Sequence, residues 1–537
     1  MKARSACAWL AFTLSVSPLL VHADDAPLAH RIVRVTLDGA ATTKPTSGRL
    51  LLFAMPADKA REAAKDGKVE EVDINPFHPT AVAVAARNVS WIVPGQSVDI
   101  DTDGETFPQP FSSLPAGDYV VQAVLDVAHD YNYNSRHEGD FVSDVVPMHF
   151  APGASLPVVK LSKGVPPRDP WQMSPSTPQA VRDALPEARQ HAHAEIMQSP
   201  SLTAFAGHPV SVRAWVVTPP GYDPNGSTRY PTVYLTHGFT GSFDRYVGTI
   251  AGVYQAMATK QTPPMIWVLL DESSPTGTHE FADSVNNGPW GQALTTEYIP
   301  WLESRYRMDA KSTGRFLNGH SSGGWATMWL QTRYPKVFGG TWSTSPDPVD
   351  FRDFTGADLY AANANMYRKP DGSANPLIRD KGQVIATFET FAKLERVLGP
   401  YGGQLASFEW VFSPRGADGR PQPMFNRDTG AIDANVVSYW RDHYDIAQRL
   451  RTHWPELKPD LDGKIHLIVG TADTFYLDGP AKLLKETLDG LHAKSDIRLI
   501  PGRTHFDLYT EGDDRQALLK KIAWEMYEVA RPGQAKP

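Results

Sequence analysis

Gly319-His320-Ser321-Ser322-Gly323 places a serine between glycines two residues before it and two after it. A serine hydroxyl is a weak nucleophile at neutral pH and needs an exposed position with a base beside it. A sharp strand-to-helix turn gives the exposure, and glycines at those two places remove Cβ atoms that would collide there. A chain with 41 glycines produces such spacings by chance, so the surroundings decide. Here the apolar pair Phe316-Leu317 precedes the motif and Gly324 to Tyr334 follows with helical spacing. Ser321 is therefore expected to be a nucleophile. Ser322 is one place off the apex and is expected to contribute its backbone N–H.

Acyl chemistry on such a serine needs donors for an oxyanion, then a base and an acid to orient that base. Thr232-Val233-Tyr234-Leu235 reads as a short buried strand, and His237-Gly238-Phe239-Thr240 follows it. The N–H of Phe239 is the expected second oxyanion donor beside that of Ser322, with Thr240 the alternative. His237 precedes the nucleophile in the chain and is expected to order this loop or meet substrate rather than act as base. After the serine, Ile465 to Gly470 reads as a strand with Asp473 three residues beyond it. Ile497 to Ile500 is another, and Pro501-Gly502-Arg503-Thr504 delivers His505 to the same edge. The order serine, aspartate, histidine assigns Asp473 as the acid and His505 as the base, with Asp478 the fallback acid. The loop after the strand Met265 to Leu270 offers His279, Asp283, Asn287 and Trp290 as substrate-binding candidates.

The elements that must position these residues alternate between strand and helix from about Ser201 onward. Val210 to Val217 is a strand, Gln292 to Tyr306 and Pro480 to Leu491 are helices, and each chemical motif lies at a strand's carboxyl end. That texture predicts an α/β fold with a mostly parallel sheet covered on both faces, its ligand site beyond the strand ends. The first part has a different texture. Short strands such as Ile32 to Leu37, Arg49 to Phe53 and Asp118 to Leu125 alternate with Gly, Pro and Asp turns, which predicts a smaller all-β, sandwich-like domain. The expected organisation is a signal peptide over 1–23, the β-domain over 24–160, a proline-rich linker over 161–200 and the catalytic domain over 201–537. Within the last, about 345–462 reads as an insertion forming a lid or a wall of the cleft.

Lys2 and Arg4, the apolar run Ala6 to Leu20 and Val21-His22-Ala23 read as an export signal cleaved after Ala23, which places the protein outside the cytoplasm, secreted or periplasmic. The single cysteine, Cys7, lies inside that segment, so the mature chain has no disulfide, thiol nucleophile or thiolate metal site. A net charge of −8 without a basic run argues against a nucleic-acid partner, and no later stretch is long and apolar enough to span a membrane. Asp99, Asp101, Asp103 and Gly104 copy the opening of a calcium loop, but its twelfth position is Pro110 instead of the required glutamate. No metal and no cofactor are expected.

Residues from about Ser201 to Tyr509 resemble the esterase family of α/β-hydrolases that contains esterase D (S-formylglutathione hydrolase), enterochelin esterase, feruloyl esterases and the antigen 85 mycolyltransferases. Leu235-Thr236-His237-Gly238-Phe239, Glu297-Tyr298-Ile299-Pro300 with Tyr306-Arg307, the Gly319 to Gly324 run, Gly470 to Asp473 and His505-Phe506 carry the likeness. The resemblance implies an α/β-hydrolase fold and cofactor-free ester chemistry on a small-molecule or glycan-linked ester. A β-domain ahead of the hydrolase also resembles the enterochelin esterase layout. The rival readings are an acyltransferase or peptidase with the same triad, and a binding protein on a hydrolase scaffold.

Overall fold

The computed structural model describes residues 30–64, 67–133, 136–151, 154 and 156–534. The expected export segment and Cys7 lie outside them. No described helix is long and apolar enough to cross a membrane.

Nine strands between Ile32 and Gly164 form one sheet, antiparallel at every pairing except Ile32–Leu37 with Val159–Gly164. A sandwich-like domain was expected over these residues. The short strand Phe141–Ser143 bridges Gly117–Asp126 to Val159–Gly164 and fuses the strands into one hydrogen-bonded path. Alternation in Ile32–Leu37 turns Val33, Val35 and Leu37 inward, where they meet Leu50, Leu52, Ala123 and Leu125. The uninterrupted run Leu50–Phe53 has a different cause: its strand, Thr46–Pro56, is buried on both faces. Leu51 and Phe53 point the other way and pack against Leu394, Val397 and Leu398 of the helix Phe388–Leu398. Buried Arg49 donates from its guanidinium to Val397 O at 2.6 Å, satisfying a carbonyl at that helix's end.

The second sheet has eight strands. In spatial order they are Ala192–Gln198, Ser211–Val217, Ile266–Leu270, Thr232–Thr236, Arg315–His320, Gly340–Thr344, Ile465–Gly470 and Ser495–Ile500. The first two pairings are antiparallel and the remaining five parallel, so the sheet is mixed. The antiparallel edge strand Ala192–Gln198 and the helix Gln179–Ala188 occupy residues expected to form a linker. Both faces are covered. In Ile266–Leu270, Trp267 and Leu269 pack with Ile250, Val253 and Met257 of the helix Val247–Ala258, while Ile266, Val268 and Leu270 pack with Leu294, Tyr298 and Leu302. A strand buried on both faces has no reason to alternate, and it reads as a continuous apolar run.

Between Gly340–Thr344 and Ile465–Gly470 the chain adds a hairpin, Pro376–Asp380 with Gln383–Thr387, and the helices Phe388–Leu398, Gln404–Phe412 and Ala434–His443. The next helix, Ile446–Leu461, packs on Ser322–Arg333 and belongs to the layer over the sheet rather than to the wall of the cleft. The helix expected over 292–306 is continuous but uneven: Trp290–Gln292 and Ile299–Arg305 are α, with a π segment Ala293–Tyr298 between them. Pro300 has no N–H to return to Thr296, which removes one i→i−4 bond where the ladder slips.

Candidate active site

Ser321 joins the strand Arg315–His320 to the helix Ser322–Arg333 with φ 61° and ψ −126°, a strained conformation for a residue bearing a Cβ. Its N–H donates to Thr344 O at 3.1 Å, and its carbonyl accepts the Trp325 N–H at 3.0 Å. The flanking glycines are obligatory for space. A Cβ on Gly319 would lie 2.1 Å from Gly323 O, and one on Gly323 would lie 2.3 Å from His237 O. Ser322 opens the helix, so its N–H has no intrahelical acceptor and stands at the positive end of the helix dipole. The neighbouring loop enters just as closely: a Cβ on Gly238 would be 3.2 Å from the Ser321 Cβ.

Asp473 and His505 meet at the same sheet edge. His505 Nδ1–H donates to Asp473 Oδ2 at 2.9 Å, which leaves the ring's Nε2 lone pair available. Asp473 Oδ1 accepts the Phe475 N–H at 2.9 Å. Both side chains are buried. Burial pushes the Asp473 carboxyl up, but His505 and the Phe475 N–H outweigh it and hold it below the usual carboxylate range. Asp478, the alternative acid, is engaged by Arg379 at 2.7 Å and Lys482 at 2.6 Å. His320 packs on His505 with ring centroids 4.3 Å apart, and burial followed by the His505 charge lowers its pKa to about 3. It contributes a neutral ring. Ser321, His505, Gly238, Phe239 and Thr240 line one cleft.

Residues 209–514 match the family model described as "Putative esterase". The chain belongs to this esterase family. Esterase MT1326 and Esterase Rv1288, both of Mycobacterium tuberculosis, are each 30% identical to it over 154 residues, 28% of this chain and 32% of theirs. The chain thus spans about a third of the length of these curated relatives. Among solved structures, a ferulic acid esterase is similar at TM-score 0.37 and 14% identity, covering 63% of this chain and 97% of that one. The S-formylglutathione hydrolase of Agrobacterium tumefaciens has TM-score 0.37 and 15% identity, covering 63% and 95%.

Other expected site residues of this family member lie elsewhere. His237 is held between its own loop and the one that follows Ile266–Leu270: Nδ1–H donates to Gly238 O at 2.8 Å, and Nε2 lies 3.1 Å from Asp271 Oδ1 and 3.0 Å from the Glu272 N–H. Burial would lower its pKa, but Asp271 and Glu272 raise it above the ordinary histidine value. Its contacts are those of a residue that orders the 237–241 loop. His279, Asn287 and Trp290 do not line the cleft. His279 is fully buried, stacked on the Trp290 ring at 3.6 Å, and Trp290 Nε1–H donates to Asn287 O at 2.9 Å. Asp283 accepts the Tyr334 hydroxyl. The loop folds back on itself as two short ladders, Ser273–Ser274 with Gly277–Thr278 and Asp283–Ser284 with Gly288–Pro289, and spends these side chains on its own packing. Of the acidic run near residue 100, Asp99 is paired with Arg34 at 2.7 Å and Asp103 accepts the Ser112 N–H at 2.8 Å.

The cleft also holds an acidic residue that its local sequence does not mark. Asp347 follows the strand Gly340–Thr344, itself unrecognised in the sequence, and lines the cleft beside Ser321. Its N–H donates to Ser321 O at 3.2 Å, and its Oδ2 accepts the Ser322 hydroxyl at 2.6 Å. Burial pushes its carboxyl up to about 6, against the pull of the Ser322 and Ser321 hydroxyls. Behind it, Glu272 is fully buried with no hydrogen bond to either carboxylate oxygen, and burial pushes it up to about 8.

The cleft encloses about 1160 Å³. Three parts of the chain build it: the sheet edge, the insertion with Phe354, Leu377 and Phe408, and the N-terminal region with Phe77 and Tyr133.

Proposed function

We propose that this protein is an exported serine esterase working through an acyl-enzyme. The observation that carries the reading is the 2.9 Å bond from His505 Nδ1 to Asp473, made at the edge where Ser321 stands on its strained turn. His505 Nε2 takes the Ser321 Oγ proton as the oxygen attacks the ester carbonyl. Asp473 fixes the ring's tautomer and stabilises the imidazolium that forms. The Phe239 and Ser322 N–H groups hold the oxyanion, which collapses to the acyl-enzyme as His505 protonates the departing alcohol. Water, deprotonated by His505, then attacks the acyl carbonyl, and Ser321 leaves with the proton returned.

The export reading rests on the 1–23 segment and on the placing of the only cysteine within it. We read residues 24–160 as a domain whose Phe77 and Tyr133 help shape the cleft, and the insertion as its wall. An alkyl fluorophosphonate, which phosphonylates an activated serine, tests the assignment. The native chain is expected to label, and Ser321→Ala to lose the label while keeping its melting temperature. Equal labelling of both would refute the assignment.

A further inference from the structure

The chemistry at Ser321 says nothing about the size of the ester, but the walls around it do. Phe354, Leu377, Ile378, Phe388, Leu405 and Phe408 of the insertion are all buried and face this cleft. At its rim two rings meet the base and a third packs on those two. Phe475 lies 4.9 Å and Phe506 5.3 Å from the His505 ring, and Phe77 closes the set at 6.2 Å from Phe475 and 5.5 Å from Phe506. Phe506 is 65% exposed. Phe77 comes from the N-terminal sheet region, so the aromatic rim exists only where that region meets the catalytic one.

Three carboxylates of the lining are already engaged within the protein. Glu71 and Asp73 at the N-terminal rim are held by Arg136 at 3.4 and 2.9 Å. Asp347 is held by the Ser322 hydroxyl. About 1160 Å³ exceeds the usual 300–1,000 Å³ of a small-molecule pocket, and an acetyl-sized group would leave most of the apolar wall facing water. Each methylene moved from water onto such a wall improves binding about fourfold.

Resting on the serine-esterase reading, we propose that the cleft is built for esters of a large apolar group, with Phe77 a specificity-determining residue that reads that group over His505. The apolar group can sit on the acyl or the alcohol side, and the two sides can be told apart. Hydrolysis of p-nitrophenyl acetate, butyrate and octanoate varies the acyl group. Hydrolysis of methyl, butyl and octyl acetate, followed by acid release, varies the alcohol.

On the full mature chain, kcat/KM is expected to rise by at least about tenfold from the shortest to the longest member of one series. Phe77→Ala, with its fold checked by thermal melting, is expected to cut that long-to-short ratio at least about fivefold. Phe506→Ala, at an exposed position, gives the same reading if Phe77→Ala is unstable. Flat or falling profiles in both series, or a ratio that neither variant changes, would overturn the proposal. Absence of Ser321-dependent turnover of every ester in both series would instead overturn the serine-esterase reading on which it rests.

Discussion

Ser321, Asp473 and His505 could be read from the sequence because each requirement is local: a serine between spaced glycines, an acid and a base shortly past a strand. Asp347 and Glu272 could not be read that way. Their importance comes from burial beside one another, which no local spacing encodes. Burial has a measurable consequence. Glu272 is held at about 8, above the ordinary glutamate value near 4.5. A carboxyl whose folded-state pKa is raised contributes stability in its protonated form, fully present below its unfolded pKa and lost as pH rises through the folded one. The native chain should therefore lose stability between about pH 5 and pH 8, by about 1.4 kcal/mol per unit of pKa shift. Glu272→Gln removes the titration, so its melting temperature should fall less across that window, and it should exceed the native value at pH 8. Parallel curves for the two proteins would refute this. His279, Asn287 and Trp290 teach the opposite lesson. Polar and aromatic residues in a loop past a strand have the types a binding site uses, but here they are consumed in folding the loop.

Among the elements, Ile266–Leu270 was legible because burial on both faces leaves an unbroken apolar run, and in Ile465–Gly470 only His466 interrupts such a run. Gly340–Thr344 escaped notice for a physical reason: Gly-Thr-Trp-Ser-Thr is fully buried yet mostly small and polar. Two of its hydroxyls are satisfied from within: Ser343 Oγ donates to Gly324 O at 2.8 Å and Thr344 Oγ1 to Gly319 O at 2.8 Å. Polar residues chosen to tie the nucleophile turn look like a loop in the sequence. Ala192–Gln198 was hidden in another way, as an edge strand with only one hydrogen-bonded neighbour and exposed Ile196. The turn itself makes a sharp prediction. Gly319→Ala forces a Cβ into a backbone carbonyl and should cost more than about 3 kcal/mol. Urea unfolding of the variant should show that loss, accompanied by loss of fluorophosphonate labelling. Native-like stability would mean that the turn is looser than described.

Across the whole molecule, the N-terminal sheet and the catalytic region share a core. The sequence suggested two textures and a linker between them, and each texture could be read separately. What joins them could not, because Leu51 and Phe53 meet Leu394 and Val397 across more than 300 residues of chain. Phe53→Ala opens a cavity at this junction and should cost about 3–5 kcal/mol. Hydrogen exchange should then show the strand Thr46–Pro56 and the helix Phe388–Leu398 losing protection together. Loosening of the strand alone would contradict a shared core. Through that helix, whose Phe388 and Phe391 line the cleft, the same junction ties the N-terminal sheet to the shape of the site. The account as a whole depends on a covalent acyl group on one serine. Brief mixing with an activated ester that deacylates slowly, acid quenching and peptide mass mapping test that directly. One acyl mass should appear on the peptide bearing Ser321 and disappear in Ser321→Ala. Rapid turnover of the ester with no adduct, or an adduct mapped to another residue, would contradict the account.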